Sequence, residues 1–286
     1  MFTKENYISV VLELIRKASQ ELPEDVINAL QKAKDKEPEN SNSYNILNQI
    51  LQNVFLAKEQ QLPICQDTGT NIYYIYHHPS YSPKDIEESI KEATILATEK
   101  SILRPNIVDP ITGKNTGNNI GINHPVIHFH QWDKDYVEFR LMLKGGGSEN
   151  VGAQYRLPDS VLNAGRDMKG VRKCILDAVF KAQGQGCAPG IIGVGIGGDR
   201  ATSYVLSKEQ FWRDLNDKNE NPVLAEMEET LLEEINSLGI GSMGLGGKTT
   251  ILGVKMAYMH RVPASYFVSV SYLCWAARRA SIAIRE

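Results

Sequence analysis

The sequence lacks the features that would place it at once in a membrane or nucleic-acid-binding class. No apolar run approaches the roughly 20 residues that a membrane-spanning helix needs. The 31 Lys and Arg residues nearly balance the 34 Asp and Glu residues, for a formal net charge of -3. This balance removes the overall basic field that attracts nucleic acids and anionic membranes. We therefore expect no nucleic-acid partner and no membrane association, and a small-molecule function is favoured.

Cysteine is scarce, and its spacing excludes the common frameworks. The 286 residues contain four cysteines and no C-x-x-C pair of the kind found in structural zinc sites. Residues 1–17 interleave charges with apolar residues at helical spacing, unlike a secretory leader. Dispersed cysteines in such a chain indicate a reducing compartment, so we expect a cytoplasmic protein whose thiols are free for metal binding or catalysis.

The order of the predicted elements favours an α+β fold. Residues 3–60 are predicted to be helical with breaks at 22–25 and 37–41, which gives an N-terminal helical lobe over about residues 1–60, packed on mixed sheets. The length fits one large domain spanning residues 1–286. A long Pro, Gly and Asn-rich connection is expected at 109–123 and suggests a functional role. Further helices are predicted at 83–100, 170–183, 203–216 and 222–238. Strands are predicted at 72–76, 126–130, 136–143, 191–195 and 249–256. In 126–130 and 136–143 apolar and polar residues alternate in the manner of paired strands.

Two glycine-rich segments resemble nucleotide-binding loops, and both matches weaken on inspection. The run 193–198 fits G-x-G-x-x-G after a strand, but the next two predicted elements are helices, so no second strand supplies an acidic residue for a ribose. The run 246–250 resembles the end of a phosphate loop, but Ser242 stands where its first glycine is required. The alternative is that these glycines let the backbone approach another group closely, and their amides could cradle a carboxylate as well as a phosphate.

Three of the cysteines lie in loop-like surroundings. Cys65 begins the run 65–70, in which a carboxylate follows two residues later, while Cys187 and Cys274 stand far along the chain in glycine-rich or turn-like segments. Separated thiols with an adjacent carboxylate suggest an iron–sulfur cluster with one iron left open for chemistry. The competing interpretation is that free cysteines pack as small hydrophobic residues. Cys174, in an apolar helical stretch, fits that interpretation.

Six motifs occur in an order that resembles a known family. They are Ile64-Cys65-Gln66-Asp67-Thr68-Gly69, Lys114-Asn115-Thr116-Gly117, Lys144-Gly145-Gly146-Gly147-Ser148-Glu149-Asn150, Gly193-Val194-Gly195-Ile196-Gly197-Gly198, Gly244-Leu245-Gly246-Gly247-Lys248-Thr249-Thr250 and Cys274-Trp275-Ala276-Ala277-Arg278-Arg279. The series resembles the α-subunit, or N-terminal domain, of class I fumarate hydratases and the related L(+)-tartrate dehydratases, which are oxygen-sensitive iron–sulfur hydro-lyases. The resemblance covers roughly residues 10–280.

The resemblance implies a cofactor and its ligands. Cys65, Cys187 and Cys274 match the three thiolates that hold a 4Fe-4S cluster in the family, and Cys174 has no counterpart among them. Such a cluster has one iron without a protein ligand, where a substrate hydroxyl and carboxylate can bind.

The resemblance also implies the substrate-site residues. Gln66, Arg104 and Gly147 fall where the family binds its substrate, and Asp67 is the candidate for proton transfer to or from the leaving hydroxyl. From the residues alone, Arg104 is a solvated cation or a carboxylate clamp. Asp67 is alternatively the cap of a turn at Thr68.

In this family the catalytic base and further substrate cations belong to a β subunit or C-terminal domain. The resemblance therefore implies that this chain acts on a small dicarboxylate only with such a partner, and that its α units associate as a homodimer. The expected reaction is reversible hydration of fumarate to malate. The alternatives are dehydration of L(+)-tartrate to oxaloacetate on the same machinery, and a non-catalytic metal-binding scaffold subunit.

The sequence departs from the family pattern in two places. The second ligand is usually followed by two prolines, whereas here the run is Cys187-Ala188-Pro189. Val262 occupies a position, twelve residues before the last ligand, where the family often has a histidine, and His260 is out of step with it. The resemblance therefore assigns no substrate-side histidine to this loop.

Overall fold

The computed structural model describes residues 4–285 and combines helices with two mixed sheets. The α-helices are α1 (Lys4–Gln20), α2 (Glu24–Lys36), α3 (Asn42–Gln60), α4 (Pro83–Glu99), α5 (Gly146–Asn150), α6 (Met168–Ala182), α7 (Arg200–Glu209) and α8 (Pro222–Ser237). The strands are β1 (Thr70–His77), β2 (Val126–Gln131), β3 (Tyr136–Lys144), β4 (Ala153–Arg156), β5 (Gly190–Gly197), β6 (Ile251–Met259), β7 (Phe267–Leu273) and β8 (Arg279–Arg285). The predicted α+β class is confirmed.

The described chain divides into two compact units, each with its own sheet and core. Unit 1 comprises residues 4–23, 52–146 and 276–285, and unit 2 comprises residues 24–51 and 147–275. The predicted N-terminal helices are present, although the start of the first at residue 3 lies outside the described residues. α1 belongs to unit 1, α2 belongs to unit 2, and the division falls within α3. The single domain over residues 1–286 stays a prediction.

The sheet of unit 1 has the strand order β2-β1-β3-β8. The two segments with alternating sequence, β2 and β3, are not paired with each other, because β1 lies between them, parallel to β2 and antiparallel to β3. One face of β1 and β3 carries Tyr73, Ile75 and Phe139 into a core with apolar residues of α1 and α4. Local sequence fixes the N-terminus of α4: the Ser82 hydroxyl accepts the Asp85 N–H as an N-cap, and a proline occupies the first helical position.

Rings stack across β1 and β2 in unit 1. Tyr74 lies 4.9 Å from His128 and Tyr76 lies 4.8 Å from His130, measured between ring centroids. Cross-strand aromatic pairs of this kind stabilise a sheet. His128 and His130 therefore pack against tyrosine rings of the neighbouring strand.

The sheet of unit 2 has the order β4-β7-β5-β6, with β5 buried along its whole length. Residues 193–197 of the G-x-G-x-x-G run lie within β5, and its last glycine, Gly198, directly follows the strand. A Cβ on Gly193 or Gly195 would collide with the backbone of α7. These glycines therefore serve the close approach of a helix to a strand, which confirms the alternative to a dinucleotide loop.

Within residues 4–285 no helix combines the length and the hydropathy that crossing a bilayer requires. The predicted helix at 203–216 begins earlier, at Arg200, because Asp199 caps it in a capping box, and it ends as a 3₁₀ turn at Gln210–Trp212. The other predicted helices and strands are present with end residues shifted by a few positions.

Candidate active site

The predicted catalytic residue Asp67 joins two loops of unit 1. β1 and β3 pair antiparallel with Thr70 opposite Lys144, so the residues before β1 lie beside the residues after β3. Asp67 Oδ1 accepts the N–H of Gly69 at 2.9 Å, and Oδ2 accepts the N–H of Gly146 at 2.8 Å. The carboxylate thus caps the turn, as the structural interpretation expected, and also holds the glycine run in place.

Arg104 and Gln66 lie at the same loop. The Arg104 guanidinium donates to the Gln66 carbonyl oxygen at 3.4 Å, and the Arg104 backbone N–H donates to the Thr68 hydroxyl at 3.2 Å. Gln66 and Arg104 are exposed, whereas Asp67 is half-buried. The structure therefore brings together three of the predicted site residues, Gln66, Asp67 and Arg104. We name this set, with Gly145 and Gly146, the polar corner of unit 1.

The long connection after α4 positions Arg104. Asn119 is 3% exposed, and its side-chain amide donates to the carbonyl oxygen of Arg104 and to the hydroxyl of Thr98. Its amide oxygen accepts the N–H of Asn106 at 2.8 Å. Sequence reasoning expected a functional role for this connection but did not identify Asn119, because a single Asn in a polar loop carries no distinguishing pattern.

Cys65 lies next to a residue that is fixed to the helices of unit 1. The N–H of Ile64 donates to the carbonyl oxygen of Ser19 at 3.0 Å, and the Asn53 side chain donates to the carbonyl oxygen of Ile64 at 2.8 Å. Ile64 is buried and Cys65 is half-buried, so the apolar residue anchors the loop and leaves the thiol near the surface.

In unit 2, Cys187 and Cys274 lie around the ring of Tyr272. Cys187 is exposed and has a φ of 56°, a left-handed conformation that is uncommon for a non-glycine residue. Its carbonyl oxygen accepts the N–H of Trp275, the residue after Cys274, at 3.2 Å. Burial first, and then the neighbouring Cys274 and Cys187, raise the pKa of the Tyr272 hydroxyl.

Close packing shapes the loop that carries Cys187. A Cβ on Gly186 would lie 2.6 Å from the Tyr272 ring, a separation that real side chains do not show. Gly147 belongs to the same unit, where its Cβ position is 3.6 Å from the carbonyl oxygen of Gln185. Of the predicted site residues, unit 1 contains Cys65, Gln66, Asp67 and Arg104, and unit 2 contains Gly147, Cys187 and Cys274.

Across residues 4–285, no three or more His, Cys, Asp and Glu side chains are close enough together to hold one metal ion. Thiolates around a single ion lie about 4 Å apart. Thiolates on different irons of a cluster are separated further, so this finding concerns sites for a single ion.

Cys174 differs from the other thiols. It is fully buried in α6, and burial, with the charges of Asp159 and Asp177, raises its pKa to about 12. A thiol in this state packs as a small hydrophobic residue and is a poor ligand. Its environment agrees with the absence of a counterpart in the resemblance.

The second glycine run is occupied by a carboxylate of the same chain. The N–H groups of Lys248 and Thr249 donate to Glu37 Oε1 at 2.7 and 3.0 Å. The phosphate-loop interpretation is therefore wrong, and the alternative that these amides cradle a carboxylate is confirmed. Sequence reasoning missed Glu37 because it lies in the distant break after α2 and belongs to no local motif.

Arg278 is a third residue to which sequence reasoning assigned no role. It belongs to the motif 274–279, and its side chain is 1% exposed. Its Nη2 atom lies 3.7 Å from the Cβ position of Gly145, in the polar corner. His260 and Val262, by contrast, are both exposed in the segment between β6 and β7.

The fumarate hydratase (Fumerase) family model matches residues 8–283. The chain belongs to the fumarate hydratase family. This result confirms the resemblance carried by the six motifs, and the extent of the match agrees with the expected range of about 10–280.

Individual members of the fumarate hydratase family and related proteins are similar along nearly the whole chain. A Geobacillus stearothermophilus protein named "Putative fumarate hydratase class I" is 50% identical over 275 residues, which cover 95% of this chain and 54% of that protein. A Methanocaldococcus jannaschii "Putative L(+)-tartrate dehydratase subunit alpha" is 39% identical, with 95% of both chains covered. The "L(+)-tartrate dehydratase subunit alpha" of Escherichia coli K12 is 30% identical, with 96% and 89% covered. The chain thus spans about half the length of the Geobacillus relative.

Proposed function

We propose that this chain is the cluster-holding part of an iron–sulfur hydro-lyase that reversibly hydrates fumarate to (S)-malate. The polar corner of unit 1 carries the proposal, because the Arg104 guanidinium contacts the loop that carries the Asp67 carboxylate. A guanidinium suits a substrate carboxylate, and a carboxylate suits proton transfer at a hydroxyl. The 50% identity to a protein named as a fumarate hydratase makes fumarate the first choice.

We assign Cys65, Cys187 and Cys274 as the ligands of a 4Fe-4S cluster. Thiolates are the usual protein ligands of such clusters. The pairing of Cys187 with the backbone next to Cys274, around Tyr272, supports two of the three assignments. When bound, a cluster with three protein ligands supplies one iron as a Lewis acid for the substrate oxygens.

The side chains of this chain account for one half of the reaction. In dehydration, Asp67 gives a proton to the substrate hydroxyl as its C–O bond breaks, so that water leaves, and in hydration Asp67 takes that proton back from water. Arg104 binds a substrate carboxylate, and the Gln66 side chain hydrogen-bonds beside it. Gly147 leaves room for substrate because it has no side chain.

The other half of the reaction needs a base at the carbon next to the leaving hydroxyl. We place this base, and further cations for the substrate, in a β subunit or C-terminal domain. The chain covers 54% of the Geobacillus relative and 95% and 89% of the two proteins named as alpha subunits, which supports a partner region. We also propose that two α units form a homodimer, in the cytoplasm, where thiols stay reduced.

Dehydration of L(+)-tartrate is the second candidate, favoured by the similarity to proteins named as tartrate dehydratase alpha subunits. The test is a steady-state assay of the native assembly, prepared without oxygen, on malate, fumarate and L(+)-tartrate. A kcat/KM at least tenfold higher for malate or fumarate supports the first candidate, and the reverse ratio supports the second. Turnover of none of the three by a cluster-loaded assembly would contradict both and favour the scaffold subunit.

A further inference from the structure

A buried guanidinium with two unbonded nitrogens, that of Arg278, lies beside the polar corner of unit 1. The Arg278 side chain is 1% exposed, and its Nε and Nη1 atoms have no hydrogen-bond partner among residues 4–285. Its backbone is fixed, since the N–H donates to the carbonyl oxygen of Ala276 and the carbonyl oxygen accepts the N–H of Leu143. Buried cations are costly unless they are paired, so this group calls for an anion.

A carboxylate close to Arg278, that of Asp67, already accepts other hydrogen bonds. Asp67 Oδ2 lies 3.2 Å, and Arg278 Nη2 lies 3.7 Å, from the same Cβ position on Gly145. The two oxygens of Asp67 accept the amides of Gly69 and Gly146, and Nε and Nη1 of Arg278 have no hydrogen-bond partner. Asp67 therefore orders the loop while these two guanidinium nitrogens stay unbonded.

The corner is built to admit a small anion. Gly146, which follows Gly145, is exposed and has no side chain to block the approach. Arg104 contacts the same loop at the carbonyl oxygen of Gln66, the residue before Asp67. Two cations, Arg104 and Arg278, therefore lie near this loop, and their charges match those of a dicarboxylate.

We infer that Arg278 binds one carboxylate of the dicarboxylate substrate, in addition to Arg104. This inference rests on the proposed function and adds a substrate-binding residue to its site. The planar guanidinium can donate two parallel hydrogen bonds to a carboxylate, which a lysine cannot reproduce. Nε and Nη1 of Arg278 stay unbonded in the free protein so that the substrate can complete their pairing.

The test measures ligand binding and does not depend on turnover. Succinate is the probe, because it has two carboxylates but neither the double bond nor the hydroxyl that reacts. The native assembly, prepared without oxygen, is titrated with succinate by calorimetry and by thermal unfolding. The variants are Arg278→Met, which removes the charge, and Arg278→Lys, which keeps it. The matched control is Arg285→Met, since Arg285 lies on β8 in unit 1, is exposed, and has its guanidinium over the Tyr136 ring.

We expect succinate to raise the Tm of the wild type and of Arg285→Met. Arg278→Met should bind succinate at least tenfold more weakly and Arg278→Lys at least threefold more weakly. Without ligand, the Tm of Arg278→Met should equal or exceed that of the wild type, because a buried charge with two unbonded nitrogens has been removed. A purely structural arginine would give the opposite result, a lower Tm with unchanged affinity.

The outcomes separate the inference from the function on which it rests. Succinate affinity of Arg278→Met within twofold of wild type, in an assembly that still turns over fumarate or tartrate, would overturn the inference alone. Absence of succinate binding by the cluster-loaded wild type would overturn the inference and the proposed function together. If Arg278→Met does not fold, unchanged affinity of Arg278→Lys overturns the inference and a threefold loss supports it.

Discussion

The two loops that carry Cys65 and Cys187 are held in place by different physical means. In unit 1, the loop 64–69 is fixed by hydrogen bonds between side chains and backbone, chiefly those of Asp67 and Thr68. In unit 2, the loop 184–189 is fixed by close packing, with Gly186 against the ring of Tyr272 and Cys187 in a left-handed conformation. The conformation of the first loop therefore depends on side-chain hydrogen bonds, and that of the second depends on a glycine that leaves room for the Tyr272 ring.

The largest expected effect comes from the polar loop. Asp67→Asn keeps the size of the side chain but removes the carboxylate that we propose exchanges a proton with the substrate, so kcat should fall about 10²–10⁴-fold. The measurement is malate dehydration by the native assembly prepared without oxygen. Asp109→Asn is the matched control, because Asp109 also caps a turn in unit 1, accepting the N–H groups of Ile111 and Thr112. Equal activity of the two variants would contradict the catalytic role of Asp67.

A single methyl group should disrupt the packed loop. Gly186→Ala places a Cβ against the Tyr272 ring and should lower the free energy of unfolding by about 1–3 kcal/mol and reduce iron loading. Urea unfolding and iron analysis check this expectation. Gly121→Ala is the control, because a Cβ there would meet its nearest neighbour at an ordinary 3.6 Å. Gly186→Ala with wild-type stability and iron content would show that packing does not hold this loop.

A third loop tests whether polar fixation also operates in unit 2. Glu37→Ala leaves the amides of Lys248 and Thr249 without their acceptor and should lower the free energy of unfolding by about 1–3 kcal/mol. Glu37→Gln keeps an oxygen acceptor and should cost less. Urea unfolding of both variants measures the two losses of unfolding free energy. Equal losses for Glu37→Ala and Glu37→Gln would assign the effect to the charge of Glu37 and not to its contacts with the amides.

The smallest effect sharpens the contrast between the thiols. Because the pKa of Cys174 is raised to about 12, about one molecule in 10⁴ carries the thiolate at pH 8. Iodoacetamide at that pH should therefore leave Cys174 unmodified in the folded, cluster-free chain, while the exposed Cys187 reacts. Peptide mass spectrometry reads out both sites. Faster labelling of Cys174 than of Cys187 would reverse the assignment of buried and accessible thiols.

The polar loop is the part of the candidate site that the sequence predicts best. An Asp-Thr-Gly run before a strand carries its own turn chemistry, so Asp67 and its cap at Gly69 follow from local residues. Hydrophobic periodicity likewise predicts α1, β1 and α4 because these elements are amphipathic or rich in β-forming residues.

What the sequence does not reveal are contacts between distant segments. The position of β1 between β2 and β3 depends on a parallel pairing across α4 that no local pattern encodes. Tertiary packing also determines which group binds the second glycine run, where Glu37 accepts the amide of Lys248. It likewise buries Arg278 beside Gly145. The resemblance to the family supplied the thiol ligands and Arg104, which spacing alone left open.

The most direct measurement is cluster loading of cysteine variants after reconstitution with iron and sulfide in the absence of oxygen. The account predicts that the wild type and Cys174→Ala bind about four irons each and show the broad visible absorbance of a 4Fe-4S cluster. Cys65→Ser, Cys187→Ser and Cys274→Ser should each lose most of that absorbance. Full loading of the triple variant, or loss of the cluster in Cys174→Ala alone, would contradict the ligand assignment.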